Sequence, residues 1–355
     1  MPCAFHQMSR VCWDLAGCLS TPNRVLECDD GTVTTTAERY RWYAEVEFPG
    51  SSDIFAEWAA GIAEDAEILA LIDRLPTSKR QPNLVFASAR YAGAPVGTYA
   101  ELRPWLLAHW DELEAIALVR STQTNEAARC ATLLPVLAAI DGPIALLEVG
   151  ASGGACLFPD RYSYEYVAPD GEVARLDPLD GPSSVRLRCE IDPASAIPTR
   201  IPEVVWRAGI DLNPLSYADP GDVEWLRVLV WPEHEERRAR LEAVASVVRK
   251  DPPRIVRGDA LELLPEVAAE APSDSTLVVF HSAVLSYFAA PDRERFRTTV
   301  SALDAMWLSN EGRRVLSRVD EQLDPAYDVG AGFVLALDGR PVAVTGAHGQ
   351  SYQRL

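Results

Sequence analysis

The stretch Ile144-Ala-Leu-Leu-Glu148-Val-Gly150-Ala-Ser152-Gly153-Gly154 runs an unbroken apolar segment into a glycine-rich turn. Glycines let a ligand approach the backbone closely. At the carboxyl end of a first parallel strand such a turn would present N–H groups and a helix N-terminus to a nucleotide cofactor. Three segments follow in order: Gly209-Ile210-Asp211-Leu212-Asn213-Pro214, Gly258-Asp259-Ala260 and His281-Ser282-Ala283. An acid ending a second strand, Asp211, could accept both hydrogen bonds of a ribose diol, and Asp259 after a third could accept one from an adenine amino group. Either acid could equally be a helix N-cap or turn residue. His281 closes a fourth strand, at the mouth of an open α/β sheet where reacting groups gather. The candidate cofactor-binding residues are therefore Glu148, Gly150, Ser152, Gly154, Asp211 and Asp259. The candidate acids and bases are His281, Tyr287 and Glu311, each at or just beyond the carboxyl end of a strand.

Several polar stretches suit a site better than a core. Arg80 and Arg161 could each clamp a substrate carboxylate in bidentate fashion, or serve as surface or helix-end arginines. Asn125 and Glu126 could cover the cofactor mouth and contact substrate; with Thr122 as N-cap they also read as a capping box opening the helix before the first strand. Gly150-Ala-Ser152-Gly-Gly154 further spells G-x-S-x-G, the nucleophile elbow of α/β-hydrolases, with Ser152 as nucleophile. That fold needs several strands before the elbow and an acid and then a histidine after it. Here the preceding hundred or so residues look helical, and His348 is the suitably late histidine. A non-catalytic interaction protein on the same fold is the third class of function.

The elements that must position these residues change character along the chain. From Thr36 to Ile140 apolar residues recur at helical spacing, as in Phe55, Trp58, Ala59 and Ile62. After Gly142-Pro143, short apolar runs bounded by Gly, Asp and Pro alternate with helical stretches, the punctuation of βαβ units. Strands are expected at Ile144–Val149, Val204–Leu212, Arg254–Arg257, Thr276–His281 and Ala305–Ser309, and helices at about 220–249, 290–303 and 312–323. Phe333–Leu337 and Pro341–Thr345, joined by Asp338-Gly339, make an antiparallel hairpin that ends the sheet. Residues 160–202 read as an irregular insertion, a lid or edge decoration, with a hairpin near Asp180-Gly181-Pro182. The organisation is a loosely ordered leader over 1–30, an N-terminal helical region over 31–143 and a Rossmann-like domain over 144–355. The fold class is α/β, with a mostly parallel sheet.

Composition narrows the partners. A formal charge of −19 on 355 residues disfavours the phosphate backbone of nucleic acids. The seven cysteines include no CxxC pair, so neither a zinc site nor a redox motif is expected. No signal segment and no long apolar span is visible. These features predict a cytoplasmic protein acting on a small molecule without a metal, and they leave its oligomeric state open.

Together, Glu148 to Gly154, Gly209 to Pro214, Gly258 to Pro265, Thr276 to Phe288 and the terminal hairpin resemble the cofactor-binding segments of class I S-adenosylmethionine-dependent methyltransferases. The usual turn there is E/D-x-G-x-G-x-G; this chain has Ser152 for the middle glycine and carries the 160–202 insertion besides. From Arg39 to Leu355 the chain is also similar to an uncharacterised, largely actinobacterial family, domain of unknown function 2332. Lys79-Arg80-Gln81-Pro82-Asn83-Leu84, Ser121 to Glu126, Asp160-Arg161-Tyr162, Trp231-Pro232-Glu233, His281 to Val284, Ser309-Asn310-Glu311-Gly312 and His348-Gly349 carry that likeness. The resemblances imply S-adenosylmethionine as cofactor, held by the sheet, and methyl transfer to an acceptor held by the helical region and the insertion. His281 or Glu311 would remove the acceptor's proton. The second family implies a fold and a site location but no reaction.

Overall fold

The computed structural model describes residues 35–193, 195, 197–324 and 329–355; the expected leader lies outside them. The chain forms two compact units, one helical, of residues 35–124 and 219–239, and one built on a sheet, of residues 125–218 and 240–355.

In the helical unit, α1 (Thr36–Trp42), α2 (Asp53–Ala63), α3 (Ala66–Ile72), α4 (Pro82–Tyr91), α5 (Tyr99–Val119) and α7 (Pro220–Leu229) are set by their caps and aromatic faces. Thr35, Ser52, Asp65 and Asp219 each accept an N–H of a first turn, as N-caps do. Phe48, Phe55, Trp58 and Phe86 form a core of edge and stacked ring contacts, which Trp231 joins. The Glu233 carboxylate accepts from the Ser52 hydroxyl at 2.7 Å and the Ile54 N–H at 2.9 Å. The helix expected over 220–249 is in fact two, α7 and α8 (Glu235–Val248), because Pro232 cannot continue a helix.

The sheet unit carries β1 (Ile144–Val149), β2 (Ser163–Val167), β3 (Val173–Leu176), β4 (Arg186–Ile191), β5 (Val204–Asp211), β6 (Arg254–Arg257), β7 (Thr276–Ser282), β8 (Met306–Glu311), β9 (Phe333–Leu337), β10 (Arg340–Thr345) and β11 (Ser351–Arg354), with α6 (Arg129–Leu137), α9 (Ala260–Ala268), α10 (Ala290–Ser301) and α11 (Ser317–Asp320). All strands join one mixed sheet, in the order β3-β2-β4-β11-β10-β9-β8-β7-β1-β5-β6. The stretch β6-β5-β1-β7-β8 is parallel throughout. Taken in chain order its strands stand 3-2-1-4-5, the doubly wound arrangement. One face of it, Ala145, Leu147, Val149, Ile210 and Val279 among others, is buried with Leu264 and Val267 of α9 and Phe296 and Val300 of α10.

The sheet departs from the expected one in three respects. The hairpin β9–β10 does not end it: β11 pairs antiparallel with β10 and parallel with β4, and β4 leads to β2 and β3. Residues 160–202 are thus part of the sheet, and their hairpin joins β2 to β3 with the Gly171 N–H on the Ala168 carbonyl. The Asp180-Gly181 turn lies in the connection to β4, which does not neighbour β3. No α-helix follows β1. Ala155–Leu157 and Pro159–Arg161 form single 3₁₀ turns, since Pro159 offers no N–H and disfavours helical backbone at Phe158. Two helices are also shorter than expected. The one expected over 312–323 contracts to Ser317–Asp320, and α6 starts only at Arg129, with Thr122 instead accepting a bond from Gln81 at 3.3 Å.

Candidate functional site

From β1 the chain adds β5 and β6 on one side and then returns to place β7 and β8 on the other, so the strand order reverses between β1 and β7. Open α/β sheets take ligands at this kind of point, beyond the carboxyl ends of the strands. Both turns leaving these strands hold a non-glycine residue in left-handed backbone, Ser152 at φ 52° and Ala283 at φ 57°. Such residues cost about 1–2 kcal/mol each and cluster where function over-determines the backbone. The turns touch: a Cβ on Gly150 (φ +72°) would stand 2.4 Å from Val284 Cγ2.

The β1 turn is closed by its own chain. Gly150 and Ala151 donate to the Ile210 carbonyl, Gly154 to that of Ala151, and Ala155 to Asn125 Oδ1 at 3.3 Å. The Ser152 N–H donates to Asp211 Oδ2 at 2.8 Å. Where glycine would admit a ligand, a Cβ on Gly153 would meet Asn125 Nδ2 at 2.7 Å and one on Gly154 would meet Pro253 Cγ at 2.8 Å. Asn125 in turn donates to the Tyr217 hydroxyl at 2.8 Å. The N–H groups of residues 150, 151, 152, 154 and 155 are therefore already used inside the protein, and no helix N-terminus stands behind the turn. Ser152 is 4% exposed and is followed by a 3₁₀ turn, where a nucleophile elbow runs into an α-helix. His348 is exposed, its N–H on Gln350 Oε1 at 3.0 Å.

Acceptors remain. Asp211 Oδ1 takes the Asn213 N–H at 2.7 Å; a carboxylate offers about four acceptor positions, so these two bonds leave room for hydroxyl donors. Glu148, on the β1 face opposite the α9–α10 core, is buried, and its Oε2 has no hydrogen-bond partner. Burial pushes its carboxyl well above the usual carboxylate range, with Cys156 and Asp211 adding to the rise and the Arg129 charge opposing it. Arg129 is itself directed at backbone, donating to Ser282 O at 2.9 Å and Ala347 O at 3.0 Å while standing 5.6 Å over the Phe333 ring. Glu126 is buried and paired to Arg240 at 2.9 Å, and it also accepts the Ala128 N–H.

On the other face of the sheet, His281 and Glu311 meet directly. The Trp307 indole can only donate, and it does so to His281 Nε2 at 3.0 Å. His281 Nδ1 must then carry the proton and donates it to Glu311 Oε1 at 2.6 Å. With no exposed atom and both nitrogens bonded, His281 positions Glu311 and is not placed to take a proton from a substrate. Glu311 Oε1 also accepts the Val284 and Leu285 N–H groups at 2.9 and 3.0 Å, whereas Oε2, fully buried, has no partner. The far side of the same loop is held by Arg293, which donates to the carbonyls of Leu285, Ser286 and Phe288. Tyr287, 47% exposed, sits on this loop; crowding of its phenol, with Glu311 adding, pushes it up to about 12, so it remains a donor at neutral pH.

Three candidates have their bonding partners elsewhere. Asp259 is the N-cap of α9, accepting the Leu261 N–H at 2.9 Å. Arg80, in the helical unit, closes the end of α3 through Asp73 and the Leu75 carbonyl. Arg161 is half exposed and pairs with Asp160 and Asp180. Sequence reasoning did not find Trp307 or Arg293: an indole that fixes a tautomer reads as core, and an arginine in the polar run Pro291-Asp-Arg-Glu-Arg reads as a solvated helix face. Among the described residues no group of His, Cys, Asp and Glu could hold a metal ion.

Residues 37–354 match the model of a family described as an uncharacterized protein conserved in bacteria, DUF2332. No curated protein and no solved structure matches the chain.

Proposed function

The chain belongs to that bacterial family, and we propose that its sheet unit binds an S-adenosylmethionine-type nucleoside between the β1 and β7 turns and transfers a group from it to a small-molecule acceptor. The observation that carries this reading is the unpartnered, buried Glu148 Oε2 beside Asp211 at the strand-order reversal. A buried carboxyl left without a partner there can give up its proton to face a cation, and Asp211 keeps acceptor positions for ribose hydroxyls. The closed β1 turn selects among nucleotides: with five of its N–H groups, those of residues 150–152, 154 and 155, engaged internally it offers a poor cradle to a pyrophosphate, whereas a phosphate-free sulfonium nucleoside needs none. When bound, such a cofactor supplies an electrophilic methyl group. The chain's part is to hold the nucleoside through Asp211, to face its positive charge with Glu148 and to place an acceptor near Tyr287 and Glu311, where proximity supplies much of the rate.

The test is calorimetry of the full chain with S-adenosylmethionine, S-adenosylhomocysteine and NAD in two buffers of different ionisation enthalpy. We expect both S-adenosyl compounds to bind, NAD to bind at least tenfold more weakly, and the cationic ligand to release a proton as Glu148 ionises. Absence of heat with either S-adenosyl compound, or NAD binding as tightly, would sink the reading.

A further inference from the structure

We propose that Glu311 Oε2 is the docking point for a primary ammonium; on the transfer reading above, on which only this clause rests, Oε2 would take one ammonium proton, the freed nitrogen lone pair would form the N–C bond as the S–C bond breaks, and the thioether would leave. The two oxygens of this carboxylate are used in opposite ways. Oε1 accepts three N–H groups, from His281 at 2.6 Å, Val284 at 2.9 Å and Leu285 at 3.0 Å, which fixes the side chain's position and plane. Oε2 is buried with no partner at all, although Glu311 stands at the carboxyl end of its strand, the end at which open α/β sheets take ligands.

The charge on this carboxylate is not balanced by a bonded cation. His281 is neutral, because Trp307 donates to its second nitrogen. Arg129 is turned to the carbonyls of Ser282 and Ala347, and Arg293 to those of the 285–288 loop. A buried carboxylate oxygen left in this way strongly favours a cationic donor over a neutral hydroxyl. Geometry then chooses between cations. A guanidinium binds best as a fork across both oxygens, and Oε1 is already filled, so a single-point ammonium fits and a guanidinium does not. The Tyr287 ring, nearly half exposed on the loop whose N–H groups Glu311 holds, offers an aromatic surface to a cation.

The probes are n-butylamine, n-butanol and n-butylguanidine, titrated into the full chain by calorimetry or saturation-transfer NMR. n-Butylamine is expected to bind at least tenfold more tightly than either of the others, and Glu311→Gln to erase that preference. The glutamine carbonyl can still face the three N–H groups, but an amide NH₂ replaces the free acceptor. Equal affinities, no detectable amine binding, or a preference that survives in Glu311→Gln overturn the proposal. Should that variant fail to fold, crystals of the unmodified chain soaked in n-butylamine decide: an ammonium within hydrogen-bond distance of Oε2 supports the subsite, and an ammonium elsewhere, or a water alone on Oε2, overturns it. S-adenosylhomocysteine titrated into the same samples separates the two readings. Amine selectivity without nucleoside binding leaves the subsite and removes the transfer function; nucleoside binding without amine selectivity does the reverse.

Discussion

The turns that leave β1 and β7 touch each other and share an unusual backbone, one non-glycine residue each at positive φ, yet they are held by different means. The β1 turn is tied by neutral backbone bonds, packed side chains and one carboxylate, Asp211, which bridges the N–H groups of Ser152 and Asn213. The β7 loop is gripped at both ends by full charges, Glu311 on its N–H groups and Arg293 on its carbonyls. A turn closed by packing can only be approached at what it leaves over, the remaining positions on Asp211 and the Glu148 oxygen. A loop gripped by charges presents a fixed side chain, Tyr287, and a fixed free acceptor. The first arrangement suits a ligand recognised by shape and hydroxyls; the second suits one recognised by charge.

The largest expected effect lies on the charged side. Glu311→Ala leaves two backbone N–H groups and His281 Nδ1 without their shared acceptor in a buried setting, and should lower the unfolding free energy by about 3–5 kcal/mol in urea denaturation. A loss under about 1 kcal/mol would mean that the three bonds do not hold the loop. On the packed side, Asp211→Ala removes two bonds to a charged but half-exposed acceptor, for about 2–3 kcal/mol. It should also cost at least tenfold in S-adenosylhomocysteine affinity by calorimetry. An unchanged affinity with the stability loss present would reduce Asp211 to a brace for the turn.

Glu148 distinguishes the sides through pH. Its carboxyl is raised above the ordinary 4.5 chiefly by burial, so the folded chain keeps a proton that the unfolded chain gives up. That contribution to stability is whole below pH 4.5 and is lost as pH rises through the folded-state value. Glu148→Gln, neutral at every pH, should therefore gain on the unmodified protein as pH rises above 4.5, by at most about 1.4 kcal/mol per pH unit. Parallel melting curves for the two proteins between pH 5 and 8 would show that Glu148 is already ionised and paired.

The same contrast explains what could be read from sequence. β1 and β9 start and stop where their apolar runs meet Gly, Pro and Asp, because buried strands write their limits into composition, and the less buried β6 is bounded by Pro253 and Gly258. β4 also carried a signal, the alternation of Arg186, Arg188 and Glu190 with buried Leu187, Cys189 and Ile191, but short period-two runs among prolines and glycines resemble loop. Tyr164 and Tyr166 hid β2, since their hydroxyls look polar until each is seen donating to a buried carbonyl, of Pro159 and Ala131. The glycine turn was visible, and its closure was not: that depends on Asn125, Tyr217 and Pro253, which no spacing rule brings to Gly153 and Gly154. The pairing of His281 with Glu311 could be guessed from their places at two strand ends, whereas the tautomer, and with it the loss of His281 as a base, depended on Trp307.

The smallest effect bears on the feature that both turns share. An L residue in left-handed backbone costs about 1–2 kcal/mol, while glycine there is free of that strain but adds about 0.5–1 kcal/mol of entropy to the unfolded chain. Ala283→Gly should thus leave stability unchanged or raise it by up to about 1 kcal/mol, against the roughly 1 kcal/mol loss usual for this exchange in regular structure. Ser152→Gly should gain less, because Ser152 is buried and glycine would empty the space its side chain fills. The difference should appear in function as well. Freed of its Cβ, position 283 can leave the strained geometry only if the grip of Glu311 and Arg293 allows it, so Ala283→Gly should keep amine affinity within about twofold if that grip alone sets the loop. An affinity that falls tenfold while stability rises would show that the Ala283 strain itself holds Tyr287 and Glu311 in their binding geometry, and the β7 loop would then be poised by backbone strain rather than by charge.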